Sequence, residues 1–178
     1  TVFIKNKGLY PDETEKNNIL DSVIDSYVSE LLPDQQEKRN SRLIHLISRL
    51  KTLSVLIIDD LLEEFSDSSF RPQFFELPIG TKDQPSINIT LKNGTELTLN
   101  GIIDRVDVFR DGDEAYIRVV DYKTGDKTFS IEDIAEGKNL QLLLYIFALT
   151  NNADSRQRFG GNAKPAGITY LSAVPSKV

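Results

Sequence analysis

Residues Asn100–Gly125, NGIIDRVDVFRDGDEAYIRVVDYKTG, decide the reading of this chain. Strand-forming residues occupy Ile102–Phe109 and Ala115–Tyr122, and Asp111-Gly112-Asp113-Glu114 supplies turn chemistry between them. A turn centred between Gly112 and Asp113 pairs position 104 with 121, which sets Asp104 opposite Asp121. Directly opposed side chains have Cβ atoms about 4.5–5.5 Å apart, where like charges are destabilising unless something neutralises them. A divalent cation would do so. Lys123 follows Asp121 by two residues and therefore shares its face, one diagonal step from Asp104. The same register puts Val106, Val108, Ile117 and Val119 on the aspartates' face as core. On the other face it pairs Asp107 with Arg118 and Phe109 with Tyr116, both favourable cross-strand combinations. The acidic pair thus ends a buried apolar stripe, where unpaired carboxylates are costly.

Working outward, residues 1–14 read as irregular, with a capping box at Asp12–Glu15. Leu20, Val23, Ile24, Tyr27, Val28 and Leu31 recur at helical spacing up to Pro33, and a longer helix is expected from about Asp34 to Phe65. Arg71–Ile79 reads as a strand. Ile87–Leu91 and Thr95–Leu99 alternate around Asn93-Gly94, a strong hairpin signal, and the second arm is expected to run on into the central hairpin. Beyond it come a short helical turn at Ser130–Ala135, a helix at Asn139–Leu149, a polar loop over Thr150–Pro165 and a final strand at Ala166–Val174. This order predicts an α+β or α/β core, a mixed sheet flanked by helices. Residues 1–69 form a helical lead-in and residues 70–178 the core of one overall domain.

With 178 residues, 39% hydrophobic and 27% charged, the composition is that of a globular domain. No apolar run reaches the roughly 20 residues of a spanning helix, and no signal-peptide pattern opens the chain, so no membrane role and a cytoplasmic setting are expected. The absence of cysteine excludes disulfides, thiolate metal sites and an iron–sulfur cluster within these residues. Any metal here is oxygen-bound. Starting at Thr1 and lacking Met, the chain reads as a piece of a larger protein. A net charge of -6 argues against broad electrostatic binding of nucleic acid, so contact with DNA must be local, metal-assisted or shared with a partner.

Two aspartates and a lysine at the ends of adjacent strands suit phosphodiester hydrolysis. The carboxylates, with the Tyr122 carbonyl as a further oxygen, bind magnesium or manganese, and Lys123 positions water or stabilises growing negative charge. A plainer alternative is a strand ending in a loop, with Asp104 paired to Arg105 or Lys123. Downstream, Gln141 and Tyr145 stand at i and i+4 on one helical face beside leucines that require burial. They could hydrogen-bond a DNA backbone, orient the lysine, or simply rim a core helix. Glu76 could approach from the first strand, and Arg105, Lys127 and Lys138 could meet phosphates. As exposed groups, all four equally fit a surface without specific contacts.

GIIDRVD, VVDYKTG, GKNLQLLLYIFAL and PAGITYL, in this order and spacing, resemble the PD-(D/E)XK nuclease domain of the RecB family. The chain looks most like the C-terminal nuclease domain of AddB-type subunits of bacterial ATP-dependent helicase–nucleases. The resemblance spans about Phe70 to Leu171. It implies a restriction-endonuclease-like core, with Asp104 and Asp121 as metal ligands, Lys123 as catalytic lysine, and Gln141 and Tyr145 as the family's helix motif. It also implies an exodeoxyribonuclease acting in double-strand break repair by recombination, with DNA and an AddA-type helicase subunit as partners. Two other readings are a nuclease-fold module that binds without cutting and a stand-alone RecB-like nuclease. The family's upstream Gly…His motif is missing: His45, the only histidine, lies in SRLIHLISRL without the glycine. The iron–sulfur cluster that many AddB-type domains hold would belong to the parent, outside these residues.

Overall fold

The computed structural model describes residues 11–32, 41–80, 87–90, 92–123, 132, 134, 136, 140–151 and 155–172. The chain divides into two compact units, one made of Thr1–Asp67 with Val174–Val178, the other spanning Ser68–Ala173.

The helical unit contains α1 (Glu13–Leu31) and α2 (Ser41–Asp67). Asp12 caps α1: its carboxylate accepts the Glu15 N–H at 2.7 Å, which satisfies one of the unpaired amides of the first turn. Charge then ties the helices together. Lys16, 2% exposed, reaches both Glu13 (2.8 Å) and Asp59, while Lys51 lies 2.8 Å from Asp21 and 3.2 Å from Asp25. These pairs run in opposite directions along the two sequences, so the helices are antiparallel. The expected start of α2 near Asp34 falls outside the described residues.

In the second unit, β1 (Arg71–Ile79), β4 (Gly101–Asp111), β5 (Glu114–Lys123) and β6 (Asn162–Ser172) form one sheet in the order β1-β4-β5-β6. The central hairpin has the expected register: Asp107 pairs with Arg118, Val108 with Ile117 and Phe109 with Tyr116. Gly112, at φ 57°, takes the first place of a two-residue turn where a left-handed backbone suits glycine. Beside it, β6 runs parallel to β5. A parallel neighbour needs a crossover, and the segment between the two strands supplies one that includes α3 (Gln141–Asn151) and α4 (Ser155–Phe159).

Val106, Val108, Ile117 and Val119 are each at most 3% exposed, and they pack with Leu142, Tyr145, Ile146 and Leu149 of α3. Each such side chain contributes about 1.5–3 kcal/mol by leaving water. Phe159 of α4 is fully buried and meets Phe74 edge-on at 5.8 Å. At the hairpin turn Arg156 grips Asp113 through both carboxylate oxygens, and Asn162 N–H donates to the Asp113 carbonyl at 2.7 Å. These contacts start β6 at the turn end of β5.

Three sequence expectations need correction. The strand arm after Asn93-Gly94 does not continue into the central hairpin: β2 (Ile87–Thr90) and β3 (Glu96–Leu99) pair only with each other among the described residues, and Asn100 separates them from β4. Within the expected loop at 150–165, residues 155–159 are helical and β6 already begins at Asn162. Pro165 does not prevent this, because β6 is an edge strand and the β5 register shifts between Ile117 and Arg118, next to the proline's partner. Finally, Arg105, expected to be an exposed group, is 1% exposed, beside the fully buried Asp107. The expected turn at 130–135 lies mostly outside the described residues.

Candidate active site at the ends of β4 and β5

The last regular pair of the central ladder toward the site is Arg105 with Val120, and one step further the same register sets Asp104 opposite Asp121. There the side chain replaces the backbone: Tyr122 N–H donates to Asp104 Oδ2 at 2.8 Å. Asp104 is thereby held against the Asp121–Tyr122 peptide. Lys123 Nζ forms an ion pair with Asp121 Oδ2, the side chains being 31% and 14% exposed. Its close contact with the Asp121 carboxylate raises the Lys123 pKa above the ordinary lysine value; burial opposes this, and the charges of Asp121 and Asp104 add to it. Lysine and both carboxylates therefore act on one another at a single place. Tyr170 of β6, in register with Asp121, brings its ring within 5.8 Å of the ammonium.

Among the described residues no group of three or more His, Cys, Asp or Glu is gathered for a metal. The oxygen set nevertheless fits a hard divalent cation. Asp121 Oδ2 is buried and receives no hydrogen bond of normal geometry, facing the lysine's charge, and Asp104 and the Tyr122 peptide stand beside it. Magnesium ordinarily uses one or two carboxylates and completes its shell with water and substrate phosphate.

On α3, Gln141 is exposed and Tyr145 is 5% exposed; Gln141 Nε2 donates to Tyr145 Oη at 3.0 Å. That hydroxyl lies against Gly101, the first residue of β4. The helix motif thus meets the strand that carries Asp104. Glu76 is exposed, with φ 48°, and its neighbours' pairings, Phe75 with Arg105 and Leu77 with Ile103, set it opposite Asp104 across the β1–β4 ladder. His45 is exposed on α2 in the helical unit. Lys127 and Lys138 lie outside the described residues.

Arg105 is not a phosphate contact. It lies buried against Asp107, Nε 2.9 Å from Oδ1 and Nη2 donating to Oδ2 at 3.0 Å, with its guanidinium 5.9 Å from the Tyr122 ring. Arg118 completes the triad, donating to Asp107 Oδ2 from Nε (3.0 Å) and Nη2 (2.7 Å). The sequence reveals the Asp107–Arg118 pair but hides Arg105, which in the DRVD run looks like a surface charge. The i, i+2 spacing of Arg105 and Asp107 on one strand face is the available signal.

Known proteins with similar sequences identify the family. The chain is 39% identical over 155 residues to a protein of Thermoanaerobacter sp. (strain X514) named as an ATP-dependent helicase/deoxyribonuclease subunit, covering 85% of this chain and 13% of that protein. Like-named proteins of Caldanaerobacter subterraneus subsp. tengcongensis and Clostridium perfringens are each 37% identical, over 87% and 94% of this chain and 13% and 15% of their own lengths. The chain therefore spans about a seventh of these curated relatives. A family model described as the PD-(D/E)XK nuclease superfamily matches residues 6–177. With aspartate, aspartate and lysine brought together on adjacent strand ends and nearly the whole length matched, this chain belongs to the PD-(D/E)XK nuclease superfamily.

Proposed function

We propose that the chain is the nuclease domain of a helicase–nuclease subunit and hydrolyses DNA phosphodiesters, as an exodeoxyribonuclease, in recombinational repair of double-strand breaks. The observation that carries this reading is the convergence of Asp104, Asp121 and Lys123 at one end of the β4–β5 hairpin. Asp104, Asp121 and the Tyr122 carbonyl would hold Mg2+ or Mn2+. When bound, the ion polarises the scissile phosphate and lowers the pKa of the attacking water. Lys123 stays protonated beside the carboxylates and offers its charge to the oxygens of the phosphate as negative charge grows there. Water oxygen bonds to phosphorus, the bond to the leaving sugar oxygen breaks, and the water's proton ends on that oxygen. Gln141 and Tyr145 support the strand that carries Asp104.

The names of the relatives favour a DNA substrate and a helicase partner, which the resemblance of the motifs makes an AddA-type subunit. In this reading residues 1–69 lead into a core at 70–178, the setting is cytoplasmic, and any iron–sulfur cluster is held by other parts of the parent protein.

Asp104→Asn in the full-length protein, assembled with its helicase partner, tests the proposal. An amide keeps the shape and loses the charge, so metal-dependent cleavage should vanish while ATP-driven unwinding survives. Equal cleavage by variant and wild type rules out the assigned role.

A further inference from the structure

Gly101 stands at the first position of β4, paired with Ile79 of β1, three residues before Asp104. A Cβ built on it would lie 2.2 Å from Tyr145 Oη, 3.3 Å from Cζ and 3.8 Å from Cε1. The first distance is far inside van der Waals contact, so the tyrosine hydroxyl occupies the room that a side chain at position 101 would need. Tyr145 has no easy retreat. It is 5% exposed, its ring is part of the core between α3 and the sheet, and Gln141 Nε2 holds its hydroxyl at 3.0 Å. Interiors this dense pass strain on rather than absorb it.

We propose that Gly101 is a positioning residue. The space left by its missing side chain seats the Tyr145 hydroxyl, the Gln141 amide locks it there, and α3 thereby fixes where β4 starts and where Asp104 stands. The seat joins the helix motif directly to the acidic end of the hairpin. Asp104 holds the Tyr122 amide at 2.8 Å, so a shift of the strand start moves the carboxylate relative to Asp121 and the Tyr122 peptide. Misplacement by about 1 Å at such a site costs about a hundredfold in rate. The functional consequence rests on the reading of Asp104 as a metal ligand; the steric seat itself does not.

Gly101→Ala, Tyr145→Phe and the double variant test the proposal, with Asp104→Asn as control. Removing Oη leaves Cζ as the nearest atom, at 3.3 Å, a contact the core can relieve by a few tenths of an ångström. Two readouts are taken: the Mn2+ concentration giving half the maximal thermal shift of this chain, and metal-dependent cleavage of linear DNA by the full-length protein. Gly101→Ala should raise the half-effect concentration about tenfold or more, as loss of support behind a metal ligand does, and cut cleavage about a hundredfold. The double variant should recover most of both losses toward the level of Tyr145→Phe alone, the remainder reflecting the φ of 159° at position 101. A Gly101→Ala protein that melts earlier yet keeps wild-type Mn2+ response and cleavage overturns the positioning role. So does a double variant no better than Gly101→Ala. If Gly101→Ala fails to fold, a double variant that folds supports the seat, and one that also fails to fold overturns it, because the backbone itself then demands glycine. Asp104→Asn with undiminished cleavage would sink the site reading instead, while rescue of stability by Tyr145→Phe would still report on the seat.

Discussion

Asp107 is the test of how the sheet tolerates charge in its interior. It is fully buried, accepts hydrogen bonds from Arg105 (3.0 Å) and Arg118 (3.0 and 2.7 Å), and lies 2.9 Å from Arg105 Nε. Asp107→Asn keeps the volume, removes the charge and leaves two guanidiniums facing one another around an amide that can satisfy only part of their donors. Removing one partner of a buried pair costs about 3–5 kcal/mol. For a chain of this length that lowers the melting temperature by about 6–20 °C, at roughly 2–4 °C per kcal/mol. Arg118→Met provides the internal scale. Arg118 is 16% exposed, and its loss leaves the Arg105–Asp107 pair whole, so the cost should be about 1.5–3 kcal/mol, that of charged hydrogen bonds alone. Urea unfolding followed by far-ultraviolet circular dichroism measures both. An Asp107→Asn variant within about 1 kcal/mol of wild type, or an Arg118→Met variant that loses more than Asp107→Asn, refutes the reasoning.

Three further outcomes follow. Asp59 first and then Glu13 raise the Lys16 pKa above the ordinary lysine value, against the effect of burial. A raised folded pKa gives stability that is fully present below the unfolded value, about 10.4, and is lost as pH climbs through the folded one. Wild-type melting temperature should therefore fall more steeply than that of Lys16→Met above that pH, and parallel curves would contradict the assignment. At the hairpin end, Mn2+ at about a hundred times its dissociation constant should contribute about 2.7 kcal/mol, or about 5–11 °C. Asp121→Asn should abolish that gain. With a net charge of -6 the chain alone should still degrade linear DNA slowly or not at all, and rapid Mn2+-dependent degradation by the chain alone would count against this.

The hairpin that carries the acidic pair is legible in the sequence because two signals agree. Turn chemistry at Gly112-Asp113 and apolar alternation each specify the register, and a slip of one residue would break the matching of Val106 and Val108 with Val119 and Ile117 on one face. Arg71–Ile79 is legible as β1 for a similar reason, Phe74, Phe75 and Leu77 being bracketed by serines and Gly80. What escapes depends on neighbours distant in sequence. Asn162–Pro165 looks like loop, and it becomes strand only because the Asp113 carbonyl, Arg156 and β5 receive it. Arg105 looks solvent-facing because its neutralisation by Asp107 is a property of the fold. The helix motif is visible in GKNLQLLLY, but nothing local shows that its tyrosine meets Gly101, which lies on another element far back along the chain. Nor can Glu76 be seen to take a left-handed backbone, which no glycine or asparagine at that position announces.

The sheet has two rims, β1 and β6, and each carries proline: Pro72 and Pro78 on one, Pro165 on the other. A rim strand ordinarily presents a row of free amides and carbonyls on which a foreign strand can zip. Proline removes an amide hydrogen from that row and stiffens the backbone around it. Among the described residues the sheet has four strands, and the prolines disfavour a fifth at either rim. A nuclease core so bounded resists lateral growth with a second copy and strand exchange with nascent neighbours, which matters for any chain that must fold beside long stretches of other polypeptide.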